Sequence, residues 1–247
     1  MPPKAISTEA DFTEFVRTFQ NGDTLATFVS EIPNATLNAD YYFPDNNVIA
    51  ELKTLEVDAL DLEAIEKRIM ASYKWLGYQL SDYTDFLFGK AYLPEDVNRR
   101  VFSTVSRPIT ECIKKANKQI ISTRKLLGKD DALGLILIAN SGNFGFEPMQ
   151  IMNVILKGFD RLKDKSNDAI VYFTPNVYQH VGNDGVPYEI WVPVANEQGN
   201  KLQEFLDKLG TAWFDFREKA GQPSVSRQVS SDLSPLVEAR LIRNWDD

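Results

Sequence analysis

Asp40, Glu51 and Lys53 are of the types, and fall at the spacing, that can hold a hard divalent cation and set a fixed positive charge beside it. The stretch that carries them, Ala39 to Leu55, reads as two strands joined by a tight turn. Tyr41, Tyr42 and Phe43 form one β-favouring run, and Val48, Ile49, Ala50, Leu52 and Leu55 form another. Pro44, Asp45, Asn46 and Asn47 lie between them, where Pro fixes φ and Asp and Asn bond to their own backbone. With Asp45 and Asn46 central in the turn, Phe43 faces Val48 and Asp40 faces Glu51. Opposed residues share a sheet face with Cβ atoms about 4.5–5.5 Å apart. Strand period two adds Lys53 to that face and turns Ala50 and Leu52 away from it.

Like charges opposed across a strand pair are destabilising. A cation between the two carboxylates removes the repulsion, and oxygen ligands suit Mg²⁺ or Mn²⁺. The bland alternative is a surface hairpin carrying an ordinary exposed Glu/Lys pair.

The pattern Asp40-x10-Glu51-x-Lys53 on a hairpin resembles the PD-(D/E)xK nuclease superfamily. The literal Pro44-Asp45 pair lies in the turn and is a decoy. The resemblance implies a three-layer, restriction-endonuclease-like α/β core, with a mixed sheet flanked by helices. It also implies hydrolysis of phosphodiester bonds with Mg²⁺, or Mn²⁺ in its place, held by Asp40, Glu51 and the carbonyl of Leu52. Lys53 would orient the attacking water or stabilise charge on the phosphate. The expected substrate is nucleic acid, DNA ahead of RNA. An acidic residue on the helix before the hairpin often supports the metal in that superfamily. Glu14 and Glu31 are the candidates here, each with solvated surface carboxylate as its plainer reading.

The helix after the Glu-x-Lys strand is expected from Pro108 to Leu127, with Ile109, Ile113, Ala116, Ile120 and Leu127 as an apolar stripe. Lys114, Lys118 and Lys125 share another face, which reads as a solvated cationic face or as phosphate contacts. The resemblance carries Lys118 and Gln119 over as residues offered to the active-site sheet. Gly128 closes the helix where a left-handed residue is wanted.

The other elements must position these residues. Residues 8–30 look helical, with Phe12, Phe15, Val16 and Phe19 on one face, an interruption at Asn21-Gly22-Asp23, and a short second segment carrying Leu25, Phe28 and Val29. Residues 58–103 read as a helical insertion with a heavy aromatic load, suited to core packing or to self-association with a second copy or a protein partner. Leu133–Asn140 is a continuous apolar run, expected in the buried middle of a sheet. The loop Asn140–Gly145 lacks the Lys-Ser/Thr of a phosphate-binding P-loop. A helix at 149–162, strands at 168–174 and 188–194, and a helix from Gly199 follow. The tail, 222–247, reads as loosely ordered except for a short turn at 236–242. No strand before the hairpin stands out, although 35–38 could begin one.

At 247 residues, with 43% apolar and 25% charged residues, the chain has the composition of a soluble globular domain, taken as one unit over 1–247. No run reaches the roughly 18 apolar residues that span a bilayer. The start, Met1-Pro2-Pro3-Lys4, has no signal-peptide core, and one cysteine, Cys112, fits a reducing cytoplasm. The one histidine, His180, excludes a His-rich zinc site and reads as structural. A net charge of −8 argues against a protein that coats nucleic acid, though not against a local basic surface. Two readings compete with the enzyme: a catalytically inactive nuclease-fold module used for binding or regulation, and an assembly factor in which Asp40 and Glu51 are incidental.

Overall fold

β3, Val48–Leu55, is the strand around which the fold is built. The structure is a computed structural model that describes residues 5–30, 37–56, 92, 94–162, 167–182, 185–221, 226–229 and 232–243. β2, Tyr41–Phe43, pairs antiparallel with β3 in the register Phe43↔Val48, Tyr42↔Ile49 and Tyr41↔Ala50. The turn between them is a 3-10 turn, Pro44–Asn46, closed by Asn47 in the left-handed region at φ 50°. Asn47 N–H donates to the Pro44 carbonyl at 3.2 Å. The register is the one the sequence predicts, so Asp40 and Glu51 are the next residues to face each other.

On the other edge of β3 lies β4, Leu133–Asn140, parallel to it, and then β5, Ala169–Phe173, also parallel. Two helices make these crossovers: α3, Glu95–Leu127, and α4, Pro148–Asp160. Their apolar stripes share one cluster with the sheet residues Ile49, Leu55, Ile136, Ile138, Ile170 and Tyr172. The opposite sheet face, with Val48, Ala50, Leu52, Leu135, Leu137 and Val171, is covered by α1, Thr8–Val16, and α5, Gln203–Lys219. Phe12, Phe15 and Trp213 are fully or nearly fully buried there. Each Phe contributes about 1.5–3 kcal/mol by leaving water. Helices on both faces explain why β4 is apolar from Leu133 to Ala139 rather than alternating.

Among the described residues the sheet has nine strands. β1, Asp23–Thr24, pairs with β2 at one edge. β7, Pro187–Ala195, runs antiparallel beside β5. Beyond β7 come β6, Gln179–His180, and β9, Arg240–Leu241, while β8, Ser226–Val229, pairs parallel with β7. The architecture is therefore mixed α/β, an open mixed sheet flanked by helices. Among the described residues no helix is long and apolar enough to cross a membrane.

The interruption expected at Asn21-Gly22-Asp23 does form: Gln20 and Asn21 both have positive φ, which ends helical winding after α1. Several other sequence expectations differ from this architecture. A strand not expected from the sequence, β1, stands before the hairpin, and α2, Leu25–Phe28, follows it directly; of the stretch 35–38, residues 35 and 36 lie outside the described residues. Pro108 does not begin a separate helix. Pro94 is the N-cap of α3, and Pro108 lies inside its 33 residues, at the cost of one backbone bond to Thr104. Most of the expected insertion, 57–91 and 93, lies outside the described residues, and Glu95–Ser103 belong to α3. The stretch expected as a loose tail carries β8, α6 (Ser234–Glu238) and β9. Gly128, at φ 62°, caps α3 as expected.

Candidate metal and phosphate site

Glu51 is the anchor of the site. It is 0% exposed, on the α3 side of β3, and its neighbours across the β3–β4 ladder include Ile136. A surface hairpin with an exposed Glu/Lys pair is thus not what forms. Lys53, two residues on along the same face, brings its Nζ against Glu51 Oε1. Among the described residues, no donor reaches the buried Glu51 Oε2 atom.

Asp40 closes the site from the hairpin's other arm. Its Oδ2 accepts the Leu52 N–H at 2.9 Å, taking the place a β2 carbonyl would hold had that strand run further. In an antiparallel strand the N–H and C=O of one residue share an edge. The Leu52 carbonyl therefore faces the edge where Asp40 lies. α3 fixes the approach to Asp40 through two bonds to the backbone ahead of it. Thr123 Oγ1 accepts the Ala39 N–H at 2.7 Å, and Gln119 Nε2 donates to the Asn38 carbonyl at 2.8 Å.

The electrostatics follow from this packing. Burial raises the Glu51 carboxyl first, and the facing charge of Asp40 raises it further, to about 8, against the opposing pull of Lys53. Asp40 is also raised, by burial, with the Leu52 N–H and Lys53 working the other way. When both are ionised, neither can donate to the other. A proton on Glu51 can be donated to Asp40, and that is the state the site favours without a cation. Cys112 on α3 is near Lys53; burial raises its thiol, while Lys53 and Lys115 lower it.

The residues present fit a Mg²⁺-sized cation: two carboxylates with excess negative charge, one oxygen without a donor, and a strand carbonyl on the same edge. Among the described residues no group of three or more His, Cys, Asp or Glu side chains gathers at one point. Mg²⁺ retains several waters, so two carboxylates suffice as its protein anions.

The structure brings Asp40, Glu51, Leu52 and Lys53 together. Glu9, which the sequence reading passed over, adds a further carboxylate at the start of α1. Its Oε1 accepts from Thr54 Oγ1 at 3.4 Å, and its charge raises Asp40. Glu14 is exposed, five residues further along the helix, and Glu31 lies outside the described residues. The signal for Glu9 was present in its position in the first turn of α1, but its contact to Thr54 is tertiary. Gln119 is buried and used on the backbone of Asn38, so it is not part of an exposed cationic face. Lys114, Lys118 and Lys125 are exposed; Lys114 pairs with Glu111 at 2.9 Å. Asp45 accepts from Asn21 Nδ2 in the turn, outside the site. His180, on β6, is four strands from β3, about 19 Å away at normal strand spacing. No family model, curated protein or solved structure matches the chain, so the reading of this site rests on its own geometry.

Proposed function

We propose that the chain is a metal-dependent nuclease of the PD-(D/E)xK type, hydrolysing phosphodiester bonds of nucleic acid, with DNA ahead of RNA as substrate. One observation carries the reading. Glu51 is buried, faces Asp40, touches Lys53, and leaves one oxygen without a donor. A carboxylate pair held in that condition stores repulsion that only a cation or a proton relieves. The order α1, β1, β2, β3, α3, β4, with β3 parallel to β4, supports the restriction-endonuclease-like core that the resemblance implies.

Asp40, Glu51 and the Leu52 carbonyl would hold Mg²⁺ or Mn²⁺. When bound, the ion would supply Lewis-acid charge neutralisation and a lowered pKa for water. The remaining work falls to the chain. The Lys53 ammonium, fixed by Glu51, presents a compact positive charge to the non-bridging oxygens of a phosphate, where negative charge builds in the transition state. Ile136 and Ile138, beside Glu51 and Lys53 on β4, keep bulk water from the floor and so strengthen these interactions. Glu9 would orient solvent at the rim.

A second reading, a nuclease-fold module without activity, is favoured by the Lys53–Glu51 contact, which occupies one oxygen of the principal ligand. Incubation of labelled plasmid, linear DNA and RNA with Mg²⁺ or Mn²⁺ separates the two. The nuclease reading expects cleavage by the parent and none by Lys53→Ala. Equal cleavage by both, or none by the parent with any substrate, overturns it.

A further inference from the structure

The helices α3 and α4 touch closely where Gly158 meets Ile113; a Cβ at Gly158 would lie 2.8 Å from Ile113 Cδ1. Beside that contact they diverge around a groove of about 890 Å³. Six of its lining residues are cationic, Arg99, Arg100, Arg107, Lys114, Lys157 and Arg161, against two acidic ones, Asp96 and Glu111. That is a net +4 in a chain of net −8.

The placement of these charges is regular. Arg100, Arg107 and Lys114 stand seven residues apart, which on an α-helix returns them to one face over about 21 Å. Lys118 and Lys125 fall on the same face further along. Only the stripe from Lys114 onward is visible in the sequence, because Pro108 reads there as the start of the helix. Across the groove, Lys157 and Arg161 lie one turn apart at the end of α4. Among the described residues, Arg107, Lys157 and Arg161 form no ion pair with a carboxylate. Glu111 is held low chiefly by its bond to Lys114, and also by Arg107 and Lys118, so the wall is positive in net effect.

Cations at a helix C-terminus complement its dipole, and this accounts for Lys157 and Arg161. It does not account for Arg100, Arg107 and Lys114, which stand well before the C-terminus of α3. A single small anion needs one cluster of donors. A row of about 21 Å, faced by a second pair, matches a chain of repeated negative charges.

We propose that the α3–α4 groove is a binding track for the phosphate backbone of a nucleic acid, with Arg100, Arg107 and Lys114 on one wall and Lys157 and Arg161 on the other. The identity of the polyanion rests on the nuclease reading of the Asp40–Glu51 site; the groove itself does not depend on it. The groove engages phosphates, so binding is insensitive to base sequence and strongly dependent on salt.

The test measures fluorescence anisotropy of dye-labelled duplex DNA and single-stranded RNA against a salt series, in chelator, so that no cleavage occurs. The proteins are the parent, Arg107→Ala/Lys157→Ala/Arg161→Ala, its charge-retaining partner Arg107→Lys/Lys157→Arg/Arg161→Lys, and Asp40→Asn. The alanine triple should bind unrelated sequences more weakly and to a similar degree. Its log–log salt slope on duplex should fall by roughly 2.7, about 0.9 for each phosphate no longer neutralised. The charge-retaining triple and Asp40→Asn should keep the slope of the parent. No binding by the parent, an unchanged slope in the alanine triple, or an equally reduced slope in the charge-retaining triple overturns the proposal. So does displacement of the nucleic acid by a poly-glutamate peptide at equal charge concentration. Weakened binding in the alanine triple, with no cleavage by the parent when incubated with Mg²⁺ or Mn²⁺, keeps the groove and removes the nuclease. Cleavage with unchanged binding does the reverse.

Discussion

Two glutamates are buried in this sheet, each with a basic partner, and they do different things. Glu189 on β7 is paired with Arg217 of α5 at 2.5 Å, on the sheet face packed by the aromatic cluster. The Arg217 guanidinium also lies over the Trp213 ring, 5.7 Å from its centre. Burial raises Glu189, but every neighbour acting on it, Arg217 first, then Tyr178 and Arg227, pulls toward the charged form. Glu51 is raised by burial too, yet the next contribution is the like charge of Asp40. Burial of a carboxylate is common to both; the unneutralised neighbour is not. Glu189 is a clamp between β7 and α5, and Glu51 is the group proposed to take up a cation.

The largest expected difference separates activity from stability. Glu51→Gln should lower cleavage by at least about two orders of magnitude, the scale for losing a principal electrostatic group, while the protein stays folded. Arg217→Met should do the opposite. It leaves Glu189 buried without its counter-charge, at a cost of about 3–5 kcal/mol in chemical denaturation, and spares the turnover of the molecules that remain folded. Similar stability losses for the two variants would erase the distinction.

pH dependence sharpens it. The Glu51 carboxyl has a pKa of about 8 in the folded protein against an ordinary 4.5. Between those values the folded state binds more protons than the unfolded one, so stability falls as pH rises through that window. In chelator, the Tm of the parent should therefore drop more steeply from about pH 4.5 to 8 than that of Glu51→Gln. Groups away from the hairpin, Glu189 among them, titrate alike in both proteins, so the difference curve reports Glu51 together with its partner Asp40. Parallel curves would show that Glu51 is not strained by Asp40.

These contrasts were unequally legible in the sequence. The hairpin register was readable because Pro44 to Asn47 can only turn, and the apolar runs on either side fix which residues face each other. Gly128 and the strand Leu133–Asn140 were readable for similar local reasons. β1 has two residues, too few to show any period, and Glu9 meets Thr54 only through the packing of α1. Pro108 misled because its penalty of about 3 kcal/mol is small against the packing of a 33-residue helix, and this hid Arg100 and Arg107 from the cationic stripe. The Glu189–Arg217 clamp joins residues far apart in the chain, and neither position carries a periodic signal.

The smallest effect concerns the rim. Glu9→Gln should weaken Mg²⁺ binding by about tenfold at most, the lower end for groups that act through a ligand's surroundings, and Glu14→Gln should leave it unchanged. A larger effect at Glu14 would mean that the wrong side of α1 faces the hairpin.

Everything proposed for the hairpin depends on Asp40 and Glu51 sharing a divalent cation. Calorimetric titration of Mg²⁺ at about pH 8, where the Glu51 carboxyl gives up its proton, into the parent, Asp40→Asn and Asp45→Asn addresses this directly. It should give one saturable site in the parent, its loss in Asp40→Asn, and its retention in the turn variant Asp45→Asn. No saturable heat in the parent, or a site kept in Asp40→Asn and lost in Asp45→Asn, would contradict it.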